Sequence, residues 1–410
     1  MTAKSTHDGT TCDEQHAEGR VDAVCDVLVA GAGLPGLATA IALARAGLSV
    51  VLADRHPVAA PEPDPATWDA RIYAISPGSA AFLRSLGAWQ VLPEDRLAPV
   101  EAMAIEGDRG ANLGFDAYDL HERALAWIVE ERALRAALVA QVHEAGVEVV
   151  APAAFASLEW SAPAGTLVLG DGRRIAARLV VGADGLRSWV RAAAGIHATP
   201  RAYGQTAVVA NFATETPHRG VAHQWFLPDG GVLAWLPLPG NRISIVWSAP
   251  AALADELAAL APEDLAARVA DTGGRRLGRL SLVTPAARFP LAFLRLPTVI
   301  AHRLALVGDA AHGVHPLAGQ GVNLGFGDAQ ALAAVLATRG PVADPGAPIL
   351  VERYARRRAA PVLAMQAVTD GLARLFGART PGVAFLRNLG LAAVSKLPPV
   401  RHALAEPALR

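Results

Sequence analysis

Short apolar runs that end abruptly in glycine set the pattern of this chain. Val24-Cys25-Asp26-Val27-Leu28-Val29-Ala30 predicts a strand, and it runs directly into Gly31-Ala32-Gly33-Leu34-Pro35-Gly36. An Ala/Leu-rich stretch to Gly47 predicts a helix apolar on nearly every face, and residues 49–53 predict a second strand that ends at Asp54. Two later runs have the same form: Leu179-Val180-Val181 enters Gly182-Ala183-Asp184-Gly185, and Leu304-Ala305-Leu306-Val307 enters Gly308-Asp309. In between, residues 205–212, 223–226, 231–236 and 242–247 alternate or run apolar between turn signals such as Pro228-Asp229-Gly230, which predicts a mainly antiparallel sheet. Residues 350–410 predict helices broken at Pro361, Pro381 and Pro398-Pro399. Residues 57–66, rich in Pro and Ala, predict an exposed loop.

Composition narrows the class. With 410 residues, 52% of them hydrophobic, the chain can bury one large core or two that share an interface. A net charge of −1 gives no bias toward nucleic acid. The charge is unevenly placed, however: from Leu350 onward ten Arg or Lys face three Asp or Glu, so the last segment carries +7 and the rest −8. Two cysteines, Cys12 and Cys25, cannot form a disulfide framework, which points to a reducing cytoplasm. Residues 1–22 are polar, read as a disordered tail, and lack the apolar core of a signal peptide. No apolar run reaches the ~18 residues of a membrane span, so the expected protein is soluble or lies on a membrane surface.

Strand, G-x-G-x-x-G, helix, strand and acid, in that order, make a dinucleotide site. Gly31 permits the tight turn, Gly33 lets a pyrophosphate approach the backbone, and Gly36 lets helix and strand pack closely. The helix N-terminus offers free N–H groups to phosphate, and Asp54, 18 residues past Gly36, can accept from a ribose. This motif does not distinguish FAD from NAD. Asp184 alone could be a helix N-cap. The loop from His312 to Asn323 is rich in Gly, contains Pro316, and leads into a helix near Gly321, an arrangement suited to backbone contacts with a planar ligand. His312 and His315 lie three apart, but no Cys or acid cluster completes a metal site, so supporting roles are expected of them. No G-x-S-x-G or H-E-x-x-H motif is present. His223, Trp225 and Trp235 are candidates to line an apolar pocket, although Trp at strand spacing also fits a core.

The three segments GAGLPG, ADGLRS and GDAAHGVHPLAGQGVNLG together resemble the aromatic-ring flavin monooxygenases typified by p-hydroxybenzoate hydroxylase. Within that family the form HPLAGQGVNLGFGDAQAL, the segment Asp69-Ala70-Arg71-Ile72-Tyr73-Ala74-Ile75-Ser76, QWFLPDGGVLAWLPLPGNRISIVWS and the tail pattern YARRR…TDGLARLF…FLRNLGL are most similar to the ubiquinone-biosynthesis hydroxylases. The likeness extends from about residue 24 to about 400. It implies an α/β fold: a Rossmann-like FAD-binding domain of the glutathione-reductase type, an inserted antiparallel substrate domain and a helical C-terminal region. The expected pieces are 23–75, 100–200 and 286–345 for the FAD domain, 76–99 and 201–285 for the substrate domain, and 346–410 for the helical region.

The resemblance also implies residue roles. Gly308 and Asp309 would bind the ribityl chain of FAD, Asp54 the adenosine ribose, and Arg71 would lie against the cofactor. Asp184 and Arg187 would serve the pyrophosphate region, where NAD(P)H docks as co-substrate, while Pro316, Gly319, Gln320, Gly321 and Asn323 would line the isoalloxazine ring. Three departures stand out: Asp54 is shorter than the Glu usual in relatives, Gly230-Gly231 replaces Gly-Pro, and Glu131 replaces Asn or Arg. The implied reaction is hydroxylation of a phenolic ring through a flavin C4a-hydroperoxide formed with O2, so no protein nucleophile is required. The implied substrate is a polyprenylated phenol, with contact to the inner membrane or to a biosynthetic complex. Alternatives are a hydroxylase of a soluble aromatic, a flavin-dependent reductase of the same fold, or a non-catalytic flavoprotein subunit.

Overall fold

Strand Ala23–Ala30 sits at the centre of a parallel sheet, between Val50–Ala53 and Arg174–Gly182. Leu304–Leu306 extends the sheet beyond Arg174–Gly182, and Glu148–Val150 extends it beyond Val50–Ala53. Successive side chains of a strand point to opposite faces, and the central strand is apolar on both. Val27 and Val29 enter a core with the helices Leu34–Arg45, Glu131–Glu144 and Gly321–Ala337. Cys25, Leu28 and Ala30 enter a second core, closed by the hairpin Phe155–Trp160 and Gly165–Leu169 and the short helix Trp189–Ala193. In this computed structural model residues 21–61, 64, 66–340, 342–378, 381–397, 400 and 409 are described. Most of the expected N-terminal tail, Cys12, part of the 57–66 loop and Pro398-Pro399 lie outside them.

A second sheet is built from Arg201–Thr214, Val221–Phe226, Val232–Leu238 and Arg242–Pro250, antiparallel between neighbours in that layer. It also draws in segments expected in the FAD domain. Ala102–Glu106 pairs parallel with Val221–Phe226, Asn112–Asp116 pairs with Ala102–Glu106, and Ala287–Phe293 pairs with Arg201–Thr214. Conversely, helix Pro77–Ser85, expected in the substrate domain, buries Ala80, Phe82 and Leu83 in the core of the parallel sheet. The boundaries therefore shift, because pairing between distant strands rather than local pattern assigns these segments. A third, three-stranded sheet (Ile72–Ile75, Ala126–Glu130, Ala98–Val100) lies between the two.

Helix Pro348–Gly377 runs through Pro361, which was expected to break it. Packing on both sides of the proline holds the helix: Leu350, Val351 and Tyr354 are buried before it, and Gln366, Thr369 and Phe376 after it. The Tyr354 hydroxyl donates to the Leu306 carbonyl at 2.6 Å, which fastens this helix to the parallel sheet. Pro381 begins the next helix, Pro381–Ser395, as a first-turn proline can.

Candidate active site at the carboxyl ends of the parallel strands

Gly31, Asp54, Ala183-Asp184 and Gly308-Asp309 all lie at the same end of the parallel sheet, where open α/β sheets bind ligands. Gly31 has φ +113°, and a Cβ there would lie 2.4 Å from the Ala183 carbonyl oxygen; a Cβ on Gly36 would lie 2.0 Å from that of Gly31. Both positions are closed to any side chain by packing. Gly33 is different: nothing lies within 4 Å of where its Cβ would be, and it begins a twelve-residue helix that no side chain caps. That leaves an open cradle with backbone N–H groups and a positive helix end facing it, which fits a diphosphate.

Around the cradle, polar side chains brace the loop. The Asp54 carboxylate accepts from the backbone N–H of Ala32 at 2.6 Å and of His56 at 2.7 Å. This shorter acid is thus drawn onto the glycine loop itself. Arg135 reaches from helix Glu131–Glu144 and donates to the Ala32 carbonyl at 2.8 Å, with no carboxylate partner among the described residues. Sequence reasoning missed it, since nothing in spacing or composition links residue 135 to the loop. Ser188, not Asp184, is the N-cap of helix Trp189–Ala193; Asp184 braces that helix start from the preceding turn, accepting from the Ser188 hydroxyl and from the N–H groups of Trp189 (2.7 Å) and Val190 (3.0 Å). Both its oxygens are engaged in its own turn. Arg187, three residues on, is exposed and has no partner among the described residues.

The third turn carries the chemistry of the groove floor. The side chain of Asp309 is exposed, yet the protein walls around it raise its carboxyl above the usual carboxylate range, against the positive charges of His312 and Arg71. A group open to solvent but surrounded by protein lies at the bottom of a cleft. Below it, Asp328 is fully enclosed and accepts from Gly308 N–H (2.9 Å), His312 Nε2 (2.6 Å) and Arg358 Nε (2.6 Å). Burial alone would raise the Asp328 carboxyl, but His312, Arg358 and the Gly308 N–H outweigh it and hold it below the usual range. Burial likewise opposes the charge on His312, and the Asp328 carboxylate outweighs that, so His312 titrates above the ordinary imidazole value. His312 is thus tied to Asp328 beneath the turn; among the described residues no group of three His, Cys, Asp or Glu could hold a metal ion.

The loop above the floor is tied to its neighbours. His315 Nε2 lies 2.9 Å from Gln205 Oε1 on the second sheet. Pro316 caps the short turn Leu317–Gly319, and the buried Gln320 precedes helix Gly321–Ala337, whose N-terminus has no side-chain cap. Asn323 donates to the Ala74 carbonyl (2.9 Å) and accepts from Ser76 N–H (3.1 Å), so its amide fixes the loop against strand Ile72–Ile75. On that segment Arg71 is exposed, with its guanidinium 5.6 Å from the ring centres of both Tyr73 and Phe289.

The three pocket candidates are corrected by strand parity. His223 pairs with Trp235 and Trp225 with Leu233, so these four share one face, and that face packs on helices Ala251–Ala259 and Pro262–Thr272 through Leu257, Leu265 and Val269. Trp225 and Trp235 are core residues. His223 is stacked on Trp225, and burial, with the Arg276 charge, pushes it down to about 4, so it is uncharged at neutral pH. The opposite face looks toward the groove. Asn211 on it donates to the Asp69 carbonyl at 2.8 Å, Leu236 and Leu238 meet Ile72 and Ala74, and Phe226 and Val232 meet Leu317. Between those two clusters Ala234, Leu236 and Val246, all on interior strands, remain half-buried, whereas the residues alternating with them are buried. An interior strand keeps such exposure only where it lines a cleft.

The protein-family model described as FAD binding domain matches residues 24–369. The ubiquinone hydroxylase UbiL of Rhodospirillum rubrum is 38% identical over 389 residues, covering 94% of this chain and 89% of the relative. The 3-demethoxyubiquinol 3-hydroxylase of Escherichia coli is 36% identical over 377 residues, covering 90% and 95%. Among solved structures, Pseudomonas aeruginosa PqsL in complex with 2-aminobenzoylacetate superposes with a TM-score of 0.76 at 25% identity, covering 90% of this chain and 99% of that one.

Proposed function

This chain belongs to the FAD binding domain family, and from that membership we propose that it is the ring hydroxylase of a polyprenylated phenol on the route to ubiquinone. It is an FAD-dependent monooxygenase acting on a small aromatic molecule with O2. The substrate reading is supported by the two ubiquinone hydroxylases to which it is more than one-third identical across nearly its whole length. The observation that carries the site is the groove itself: an open cradle at Gly33, the exposed Asp309 on its floor and an uncapped helix end at Gly321 gather at the carboxyl end of one parallel sheet. In it FAD, reduced by NAD(P)H, would supply the activated oxygen that the ring receives. Gly31, Gly33 and Gly36 would hold the diphosphate with Arg135, Asp309 would accept hydrogen bonds from the ribityl chain, and the loop Pro316–Gly321 would lie along the flavin ring. The helix N-terminus at Gly321 would favour negative charge on the flavin pyrimidine edge. Asp54, Asp184 and Asn323 would act by fixing these loops. The sheet face with Ala234 and Val246 would exclude water from the ring being oxidised. Lipid extracts of a strain deleted for this protein should accumulate an under-hydroxylated polyprenylphenol, restored to wild type by the gene; an unchanged quinone profile would refute the substrate.

Arg187 would receive the phosphates of NAD(P)H, since it is an exposed cation beside the glycine cradle with no partner among the described residues. Arg187→Ala should slow flavin reduction about tenfold or more, the worth of one charge-assisted hydrogen bond, at unchanged FAD content. Stopped-flow reduction at the wild-type rate would remove this role.

The C-terminal helices would rest on an anionic membrane. No helix among the described residues is long and apolar enough to cross one. Exposed Arg353, Arg356 and Arg357 stand on helix Pro348–Gly377, which also exposes Leu363 and Val368; exposed Leu389 stands on helix Pro381–Ser395, with exposed Lys396 and Leu397 just past its end. Arg358 does not belong to this surface, because it is paired with buried Asp328. Arg356→Ala with Arg357→Ala should weaken binding to anionic vesicles, at about 1 kcal/mol per charge near the surface and less at high salt. Arg358→Ala should instead lower thermal stability; equal vesicle binding by the double variant and wild type would count against the membrane surface.

A further inference from the structure

Three polar side chains on the groove-facing side of the second sheet retain hydrogen-bonding capacity that the protein does not use. Asn211 and Ser244 face each other across neighbouring strands, both fully buried, and the Asn211 Oδ1 and Ser244 Oγ atoms have no partner among the described residues. Gln224 is 6% exposed and pairs with Ala234, which in turn pairs with Val246, so its side chain shares their face and their cleft. Its amide makes no hydrogen bond among the described residues, and unlike the atoms of Asn211 and Ser244 it is not sealed from solvent. Leaving a buried amide unbonded is unfavourable, and it is tolerated where a ligand completes it.

The apolar surroundings limit what that ligand can be. The cleft wall beside Gln224 is Ala234, Leu236 and Val246, and clusters on either side contain Leu238 with Ile72 and Phe226 with Leu317. No Lys or Arg stands in this row of the sheet, and Arg242, further along the same face, is stacked over Trp68, so a carboxylate beside Gln224 would have no adjacent counter-ion. A neutral ring with one or two oxygen substituents fits. We propose that Gln224 is the specificity-determining side chain that orients the substrate: its amide oxygen accepts a hydrogen bond from the ring hydroxyl and its N–H₂ donates to a neighbouring ring oxygen. Ser244 and Asn211, sealed from solvent on the same face, do not reach the ring. The inference rests on the reading of the chain as a phenol hydroxylase. Gln224 acts by holding the ring in one pose, and no bond of it is made or broken.

The experiment uses the full chain loaded with FAD and two probes, 4-propylphenol and its methyl ether, which differ in whether the ring oxygen can donate. Binding is read from the perturbation of the bound flavin spectrum without NAD(P)H, and FAD content reports that each variant is folded. Wild type should bind the phenol about tenfold more tightly than the ether, the worth of one hydrogen bond. Gln224→Leu should bind the two within about threefold of each other, with ether affinity retained. Gln224→Met, unbranched and closer in shape, serves in the same assay if the leucine variant loses FAD. A general loss of packing would weaken both probes alike, and that result overturns the proposal, as does a variant that keeps the wild-type preference. If wild type binds neither probe, the reading as a phenol hydroxylase fails as well. If wild type prefers the phenol and both variants do too, only the role of Gln224 fails.

Discussion

Asp328→Ala should destabilise the protein by about 3–5 kcal/mol, because it strips the anion from a buried His312 and from Arg358 at once. All three groups are enclosed or nearly so, and the same carboxylate holds the Gly308 N–H that shapes the Asp309 turn. The variant should therefore have a lower melting temperature and also lose FAD, the second through displacement of Asp309. The pH dependence has a definite sign. The carboxyl of Asp328 is held below its unfolded value, so its contribution is full above the ordinary carboxylate range and is lost as pH falls through the lower folded value. Thermal melts of wild type should steepen their decline in acid, and the alanine variant should lack that component. Unchanged melting temperature and FAD content would show that the network is dispensable.

Asp309→Asn should do the opposite to stability while harming the cofactor. The folded carboxyl of Asp309 is raised by its surroundings. Its contribution to stability is therefore full below the unfolded value and is lost as pH rises through the folded one. At neutral pH the cofactor-free protein should gain slightly from the neutral amide, and its melting temperature should become less sensitive to pH above the carboxylate range. FAD affinity should fall by about tenfold to a hundredfold, because a charged acceptor gives way to a neutral one at the ribityl chain. Full FAD affinity in the variant would remove Asp309 from the proposed site. Asp309 stands in the turn that Asp328 supports from helix Gly321–Ala337, so opposite effects on stability with a shared loss of flavin would separate support from contact.

How much of this was legible depends on what each feature needs. The glycine loops were readable because their requirement is local: Gly31 has a backbone conformation that side chains rarely adopt, and Gly36 has no room for a Cβ. Which face of the second sheet lines the cleft was not readable. Strand Val232–Leu238 is apolar on both sides, so alternation gives no sign of which side meets helices and which meets the groove. The large rings of Trp225 and Trp235 suggested a pocket, whereas the cleft is lined by smaller neighbours one residue away, Ala234, Leu236 and Gln224. Asp328 was visible only as a helix residue, since His312 and Arg358 lie 16 and 30 positions away in the chain. The basic tail misled for the same reason: Arg358 reads as one of three consecutive surface arginines until its partner is seen. Segment 102–116 joined the second sheet through a parallel pairing with residues more than 100 positions on, which no local pattern encodes.

This chain uses FAD and O2 to place a hydroxyl on an aromatic ring. The most direct test is turnover of the purified, FAD-loaded protein with NAD(P)H, a short-chain analogue of the polyprenylphenol and isotopically labelled O2, followed by mass spectrometry of the ring product. The product should carry one labelled oxygen atom, dependent on both FAD and NAD(P)H. NAD(P)H consumption that yields only hydrogen peroxide or an unlabelled product across phenol analogues would contradict it.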